Sequence, residues 1–368
     1  MSDIFPFALE TSLSFYLIVY ALTWGLHVVF MTYVLAGSWF LAWATLFPGT
    51  AQPDRTQQPL ARILREWLPF MLSGAITAGV APLLFVQIIY RQGFYTANLL
   101  LGWRWLMVVP VLVVAFYLLY LMKSKLISDW SFAARCGLAV GIAGSFLFVA
   151  FCWTTNHLLQ IEQDRWSQVY ESGHLFSSVG AVAARLLTWV AAAFPVMAIQ
   201  GGWQLVYFRK RNGWDLTACN SESTPLAVMS LSALGLATAS GTVYSRFLAA
   251  DVLNDIVGPA GRMWLMLVIG GVILQAVGWF FQLKTRCFCS RRMLLVTVGG
   301  LLMLLGLAFL REMVRMASVD LNQVTDNTQA AAQVGGFGLF LLFTVVNTAL
   351  IVVCIRLVGP AVRDNSPK

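Results

Sequence analysis

The chain has 368 residues, of which 59% are hydrophobic and only 11% charged, and its mean hydropathy is +0.76. A soluble protein of this length needs far more polar surface, so the composition excludes a water-soluble globular enzyme and predicts an all-α integral membrane protein. The net charge of +8 is a topology signal and not a nucleic-acid footprint, because the basic residues concentrate in alternate loops.

In chain order, nine transmembrane spans are predicted at 11–47, 65–90, 100–122, 132–160, 178–208, 225–248, 261–283, 292–316 and 335–358, each long enough to cross a hydrocarbon core of about 30 Å. They make a nine-helix bundle, a single transmembrane domain over 1–368 with no soluble domain and no internal repeat. One set of loops holds Arg55, Arg62, Arg65, Lys123, Lys125, Arg135, Arg209, Lys210, Arg211, Lys284, Arg286, Arg291, Arg292, Arg356, Arg363 and Lys368. The other holds half as many basic residues, among them Arg91, Arg104, Arg165, Arg246 and Arg262, together with most loop acids. The richer side is expected to be cytoplasmic, which puts the N-terminus outside and the C-terminus inside. The first residues carry no basic charge and the first apolar stretch exceeds a signal h-region, so no cleavable leader is expected.

The first span contains Tyr20-Ala-Leu-Thr-Trp-Gly-Leu-His27-Val-Val-Phe-Met-Thr-Tyr-Val-Leu-Ala-Gly37. An imidazole in hydrocarbon needs a partner, and no carboxylate lies one helical turn away. The partner is therefore another helix, a water or a metal-bearing cofactor. Ala75 and Gly79 in the second span, and Gly137 and Gly141 in the fourth, have the small-residue spacing of close helix packing. Pro82, Pro110 and Pro195 are expected to kink their spans. Trp24, Trp39, Trp43, Trp67, Trp103, Trp105 and Trp153 fit interfacial belts.

Asn156-His157 near the end of the fourth span reads as an interfacially solvated pair, and His174 as a solvated loop residue. Arg311-Glu312-Met-Val-Arg315 ends the eighth span, where snorkelling is the simple reading and an i, i+3 pairing of Glu312 with Arg315 an addition to it. The loops 161–177 and 317–334 are polar, with 325–333 expected to be a short amphipathic or irregular connector. Cys136, Cys152 and Cys354 fall in spans, and Cys219, Cys287 and Cys289 in loops assigned to the cytoplasm, where disulfides do not persist. Cys287-Phe-Cys289 lacks a second ligand pair for zinc, and the absence of Cys-x-x-Cys-His excludes covalent c-type haem.

His27, His157, Glu312, Arg91, Arg104, Arg311 and Arg315 thus gather in one half of the bundle. Imidazole and carboxylate are ligands for haem iron, and arginines suit haem propionates. The same residues suit an anion pathway.

The order of these features resembles subunit I of the cytochrome bd quinol oxidases. His27-Val-Val-Phe-Met-Thr-Tyr-Val-Leu-Ala-Gly37 is similar to the family's His-Phe-Leu-Phe-Val-Pro-Leu-Thr-Leu-Gly. Ala78-Gly79-Val80-Ala81-Pro82 in the second span, Thr155-Asn156-His157-Leu158-Leu159-Gln160 ending the fourth and Glu312-Met-Val-Arg315 ending the eighth are similar to the corresponding family strings. The resemblance implies that His27 is an axial ligand of one high-spin haem and Glu312 of a second, with Arg315 beside that site and Asn156 bordering it.

The departures are as informative. Where the family places a low-spin haem ligand in its fifth span, this chain has Ala184-Arg185-Leu186, with no histidine. Met263 and Met266 lie only near the seventh-span methionine position. The quinol loop shrinks to about the dozen residues from Asp251 to Arg262, and the second-span glutamate is replaced near Leu83. The resemblance therefore implies a subunit with one or two b-type haems and no usual quinol site, a possible oxidoreductase of the respiratory chain in a bacterial inner membrane. Its implied partners are membrane lipid, a second membrane subunit and a periplasmic c-type cytochrome, with no nucleic acid. The alternatives are a haem-free scaffold subunit or small-molecule transporter on the same bundle, and a plain channel.

Overall fold

The computed structural model describes residues 11–48, 55–175, 179–208 and 215–333, with isolated positions beyond. Among the described residues there is no strand. The helices are α1 Thr11–Leu46, α2 Pro59–Ile89, α3 Arg91–Leu101, α4 Trp103–Leu106, α5 Val108–Lys123, α6 Phe132–Ile161, α7 Trp166–Ser172, α8 Val179–Phe208, α9 Leu216–Ser221, α10 Ser223–Ser245, α11 Ala250–Val257, α12 Pro259–Thr285, α13 Ser290–Met316 and α14 Leu321–Gln333. Among the described residues, eight stretches are long and apolar enough to cross a membrane: α1, α2, α4–α5, α6, α8, α9–α10, α12 and α13. The expected ninth span at 335–358 lies largely outside the described residues, as do Cys354 and the basic residues after it.

Local sequence sets the helix limits. Pro59 and Pro259 occupy the first turns of α2 and α12, where a missing N–H costs nothing. The Ser131 hydroxyl caps α6 by accepting from Ala134 N at 3.3 Å. The start of α2 is capped from another helix, because buried Glu222 accepts from Leu60 N at 3.2 Å. Gly102 at φ +57° ends α3 at the start of the expected third span, which then runs as α4 and, past Met107, as α5. Pro110 consequently sits in the first turn of α5 and starts a helix instead of kinking one. Pro82 and Pro195 are inside helices, as is Pro69.

The connector 317–334 is mostly the amphipathic helix α14, and the short stretch after α10 forms α11. Both lie at the end of the bundle where α1 begins, hereafter the proximal end.

Close packing falls elsewhere than the expected Gly137–Gly141 pair, which has open space where a Cβ would be. The tight seam joins α12 to α13. A Cβ on Gly271 would lie 2.5 Å from the Gly299 carbonyl, one on Gly299 2.8 Å from the Gly271 carbonyl, and one on Gly306 2.7 Å from the Trp264 carbonyl. Backbone therefore meets backbone along the seam. The contact of α1 with α2 follows the same logic with side chains as knobs: Phe30 fills the space over Gly74, and Leu64 and Leu68 cover Gly37.

Candidate functional site

His27 belongs to that α1–α2 seam. Its Nδ1–H donates to the Ala75 carbonyl at 2.9 Å, and a Cβ on Gly79 would lie 3.0 Å from its ring. Ala75 and Gly79 thus form a notch that the imidazole itself occupies. A backbone carbonyl can only accept, so a proton is on Nδ1, and the neutral imidazole keeps its lone pair on Nε2. The residue is half-buried.

One turn and two turns before His27 on α1 stand Trp24 and Tyr20. Tyr20 points into a buried network at the proximal end. Its hydroxyl accepts from Arg311 Nη1 at 3.1 Å and from Arg315 Nη1 at 2.9 Å. Both guanidiniums turn onto Glu312, Arg311 at 2.5 Å from Oε1 and Arg315 at 3.3 and 3.2 Å from the two oxygens. Tyr90, between α2 and α3, donates to Glu312 Oε2 at 2.9 Å. On its far side, Arg315 Nη2 donates to His157 Nδ1 at 2.8 Å. The Arg311 guanidinium also lies 4.9 Å from the centre of the Trp24 ring, between the network and His27.

These placements correct two expectations. Glu312 and Arg315 are each 1% exposed and His157 3%, so the helix-end charges do not snorkel and His157 is not solvated at an interface. The reason is helix phase: α13 turns this face toward α1, α2 and α6, and the charges then satisfy one another. The i, i+3 pairing of Glu312 with Arg315 is present.

Asn156, one residue away, faces differently. It donates to Asn98 Oδ1 at 2.7 Å and accepts from Gln160, which ties α6 to α3. His174 is exposed, as expected. Arg91 is exposed and Arg104 half-buried, outside the network. Met263 and Met266 are 44% and 62% exposed on the apolar surface, which removes them as inward ligands. The tryptophans divide between roles. Trp43 and Trp103 are exposed, whereas Trp105 and Trp153 pack on each other and on Phe94, and Trp24 on Trp189.

Three participants escaped sequence reasoning: Tyr20, Tyr90 and Arg185. Tyr20 precedes His27 by seven residues and so shares its face, which is the signal that points to it. Arg185 in α8 is buried, with Nη1 donating to Tyr244 at 2.5 Å. A recess with room for about one water lies beside Tyr90, lined by Ile89, Gly93, Gln160 and Val324.

The donor set suits a haem in part. His27 fits an axial ligand, since a second-sphere carbonyl fixes its tautomer and leaves Nε2 for a metal. The arginines fit propionates. Glu312 fits less well as an iron ligand, because Tyr90, Arg311 and Arg315 already occupy its four acceptor directions. Among the described residues, no cluster of three or more His, Cys, Asp or Glu side chains has the makings of a metal site. Comparison with protein-family models, curated proteins and solved structures finds no match to the chain.

Proposed function

We propose that this protein is a haem b-binding membrane subunit of an electron-transfer complex, with His27 as the axial ligand of one haem. The observation that carries the reading is the His27 imidazole inside an apolar helix, held at Nδ1 by the Ala75 carbonyl so that Nε2 is the nitrogen left for a metal. A hydrogen bond of this kind is the usual companion of a metal-ligating histidine and raises its basicity. The bound haem would supply one-electron chemistry. The chain's own residues would orient it, exclude water and offset propionate charge through Arg311 and Arg315. Glu312 in this reading holds the two arginines in place and is not spent on a second iron.

In this reading the proximal end faces the outer side of a bacterial inner membrane, an orientation that the positive-inside bias supports. Electrons would then arrive from a periplasmic c-type cytochrome, and a second membrane subunit would cover part of the apolar surface. Purified full-length protein from haem-replete cells is expected to show a Soret band and about one haem per chain by pyridine haemochrome. The His27→Ala variant should lose most of that signal.

A haem-free scaffold or transporter subunit is the second reading. The observation favouring it is that Glu312 is already fully engaged within the chain, accepting from Tyr90, Arg311 and Arg315. A colourless wild-type preparation decides for it.

A further inference from the structure

The buried proximal network has a charge surplus. Among the described residues, Arg185, Arg311 and Arg315 stand against a single carboxylate, Glu312, and Arg185 is buried on α8, which packs against both α6 and α13. Among the described residues the only other buried acid is Glu222, which caps α2 at the opposite end. Two uncompensated positive charges inside an apolar bundle are costly, and structures of this kind retain them where they meet a negative partner.

The surplus extends to hydrogen bonds. Arginine has no acceptor, so His157 Nδ1 must accept from Arg315 and the imidazole proton resides on Nε2. That Nε2–H is buried and has no partner among the described residues, and neither does the Nε–H of Arg315. Both are donors. A buried water would satisfy a donor but not the charge. A carboxylate does both, since its two oxygens accept from a guanidinium edge and from an imidazole N–H together.

We infer that Arg185, His157 and Arg315 form a carboxylate-binding pocket between α6, α8 and α13. This goes beyond the assignment of His27 and holds whether or not haem is bound there. The carboxylate has two chemical sources, a haem propionate or a small free monocarboxylate, and they are separable.

The test uses full-length protein in nanodiscs, both as purified and after haem extraction, titrated with sodium formate. Ionic strength is held constant with a bulky sulfonate, and the thermal midpoint is followed. Haem-extracted wild type should be stabilised saturably by formate, and the half-saturating concentration should rise about tenfold or more in Arg185→Gln, the loss of one charge-assisted contact. His157→Phe, which removes the Nε2–H and the Nδ1 acceptor of Arg315 while leaving the charge count unchanged, provides the same comparison should Arg185→Gln fail to fold. Stabilisation confined to haem-extracted protein identifies the occupant as a propionate; stabilisation of both preparations identifies a free carboxylate. If formate has no saturable effect, or acts equally on wild type and both variants, the inference is overturned and the chain itself supplies the missing acceptor.

Discussion

Glu312 and His27 show two ways in which a polar side chain becomes tolerable among apolar helices. Glu312 is surrounded by donors from its own helix α13 and from Tyr90 at the α2–α3 junction, so removing it strands Arg311 and Arg315. Breaking a buried pair from one side costs about 3–5 kcal/mol, whereas Tyr90→Phe removes one hydrogen bond worth about 1 kcal/mol. Thermal unfolding in detergent should accordingly rank wild type above Tyr90→Phe and Tyr90→Phe well above Glu312→Ala. Equal midpoints for Glu312→Ala and wild type would mean that the carboxylate is not the keystone of the arginines. Sequence made the residue types legible here, since His27, His157, Glu312 and Arg315 stand out from hydrocarbon. It did not make their exposure legible. Whether a charge at a helix end turns to water or inward depends on the rotation of its helix against its neighbours, and nothing in Arg311-Glu312-Met-Val-Arg315 encodes that by itself.

At the scale of elements, the positions of most spans could be read from apolar length, but their contacts could not. Gly137 and Gly141 have the expected spacing yet face open space, while Gly271 and Gly278 on α12 and Gly299 and Gly306 on α13 repeat at seven residues and hold the seam. A seven-residue repeat keeps one face toward a left-handed partner over several turns, which a single four-residue pair does not. A side chain at Gly271 would meet backbone atoms of Gly299 and Met303, which have no rotamer by which to yield. Gly271→Val should therefore lower folded yield and thermal midpoint, by more than the roughly 1–3 kcal/mol of ordinary overpacking. Gly137→Val should leave both close to wild type. A reversed ranking, measured by size-exclusion yield and thermal midpoint, would show the α12–α13 seam to be misassigned. The break at Gly102 and helix α11 were hidden for a different reason: they lie at the bundle end, where no long apolar run announces them, whereas α14 falls where an amphipathic or irregular connector is expected.

For the whole molecule, the eight long apolar helices fit a multi-pass membrane protein, and the charge bias gives its orientation as a proposal. Cys289, between α12 and α13 at the end opposite the His27 network, reports on it. Its thiol is held below the ordinary cysteine range by the backbone N–H groups of Arg291 and Arg292 at the start of α13. The thiolate is the reactive form, so alkylation should set in at lower pH than for an unperturbed cysteine and fall off as pH drops through the lowered value. With Cys289 as the sole cysteine, a membrane-impermeant maleimide should label inside-out vesicles and spare intact spheroplasts. Labelling of intact spheroplasts would invert the orientation and remove the periplasmic electron donor.

The most direct measurement concerns His27 itself. The optical spectrum of purified wild type, oxidised and reduced, is to be compared with that of His27→Gly before and after addition of free imidazole. The proposed ligation predicts a Soret band in wild type, its loss in His27→Gly and its return with imidazole, which re-enters the notch beside Ala75 and Gly79. A Soret band unchanged in His27→Gly, or a wild type without one, contradicts it.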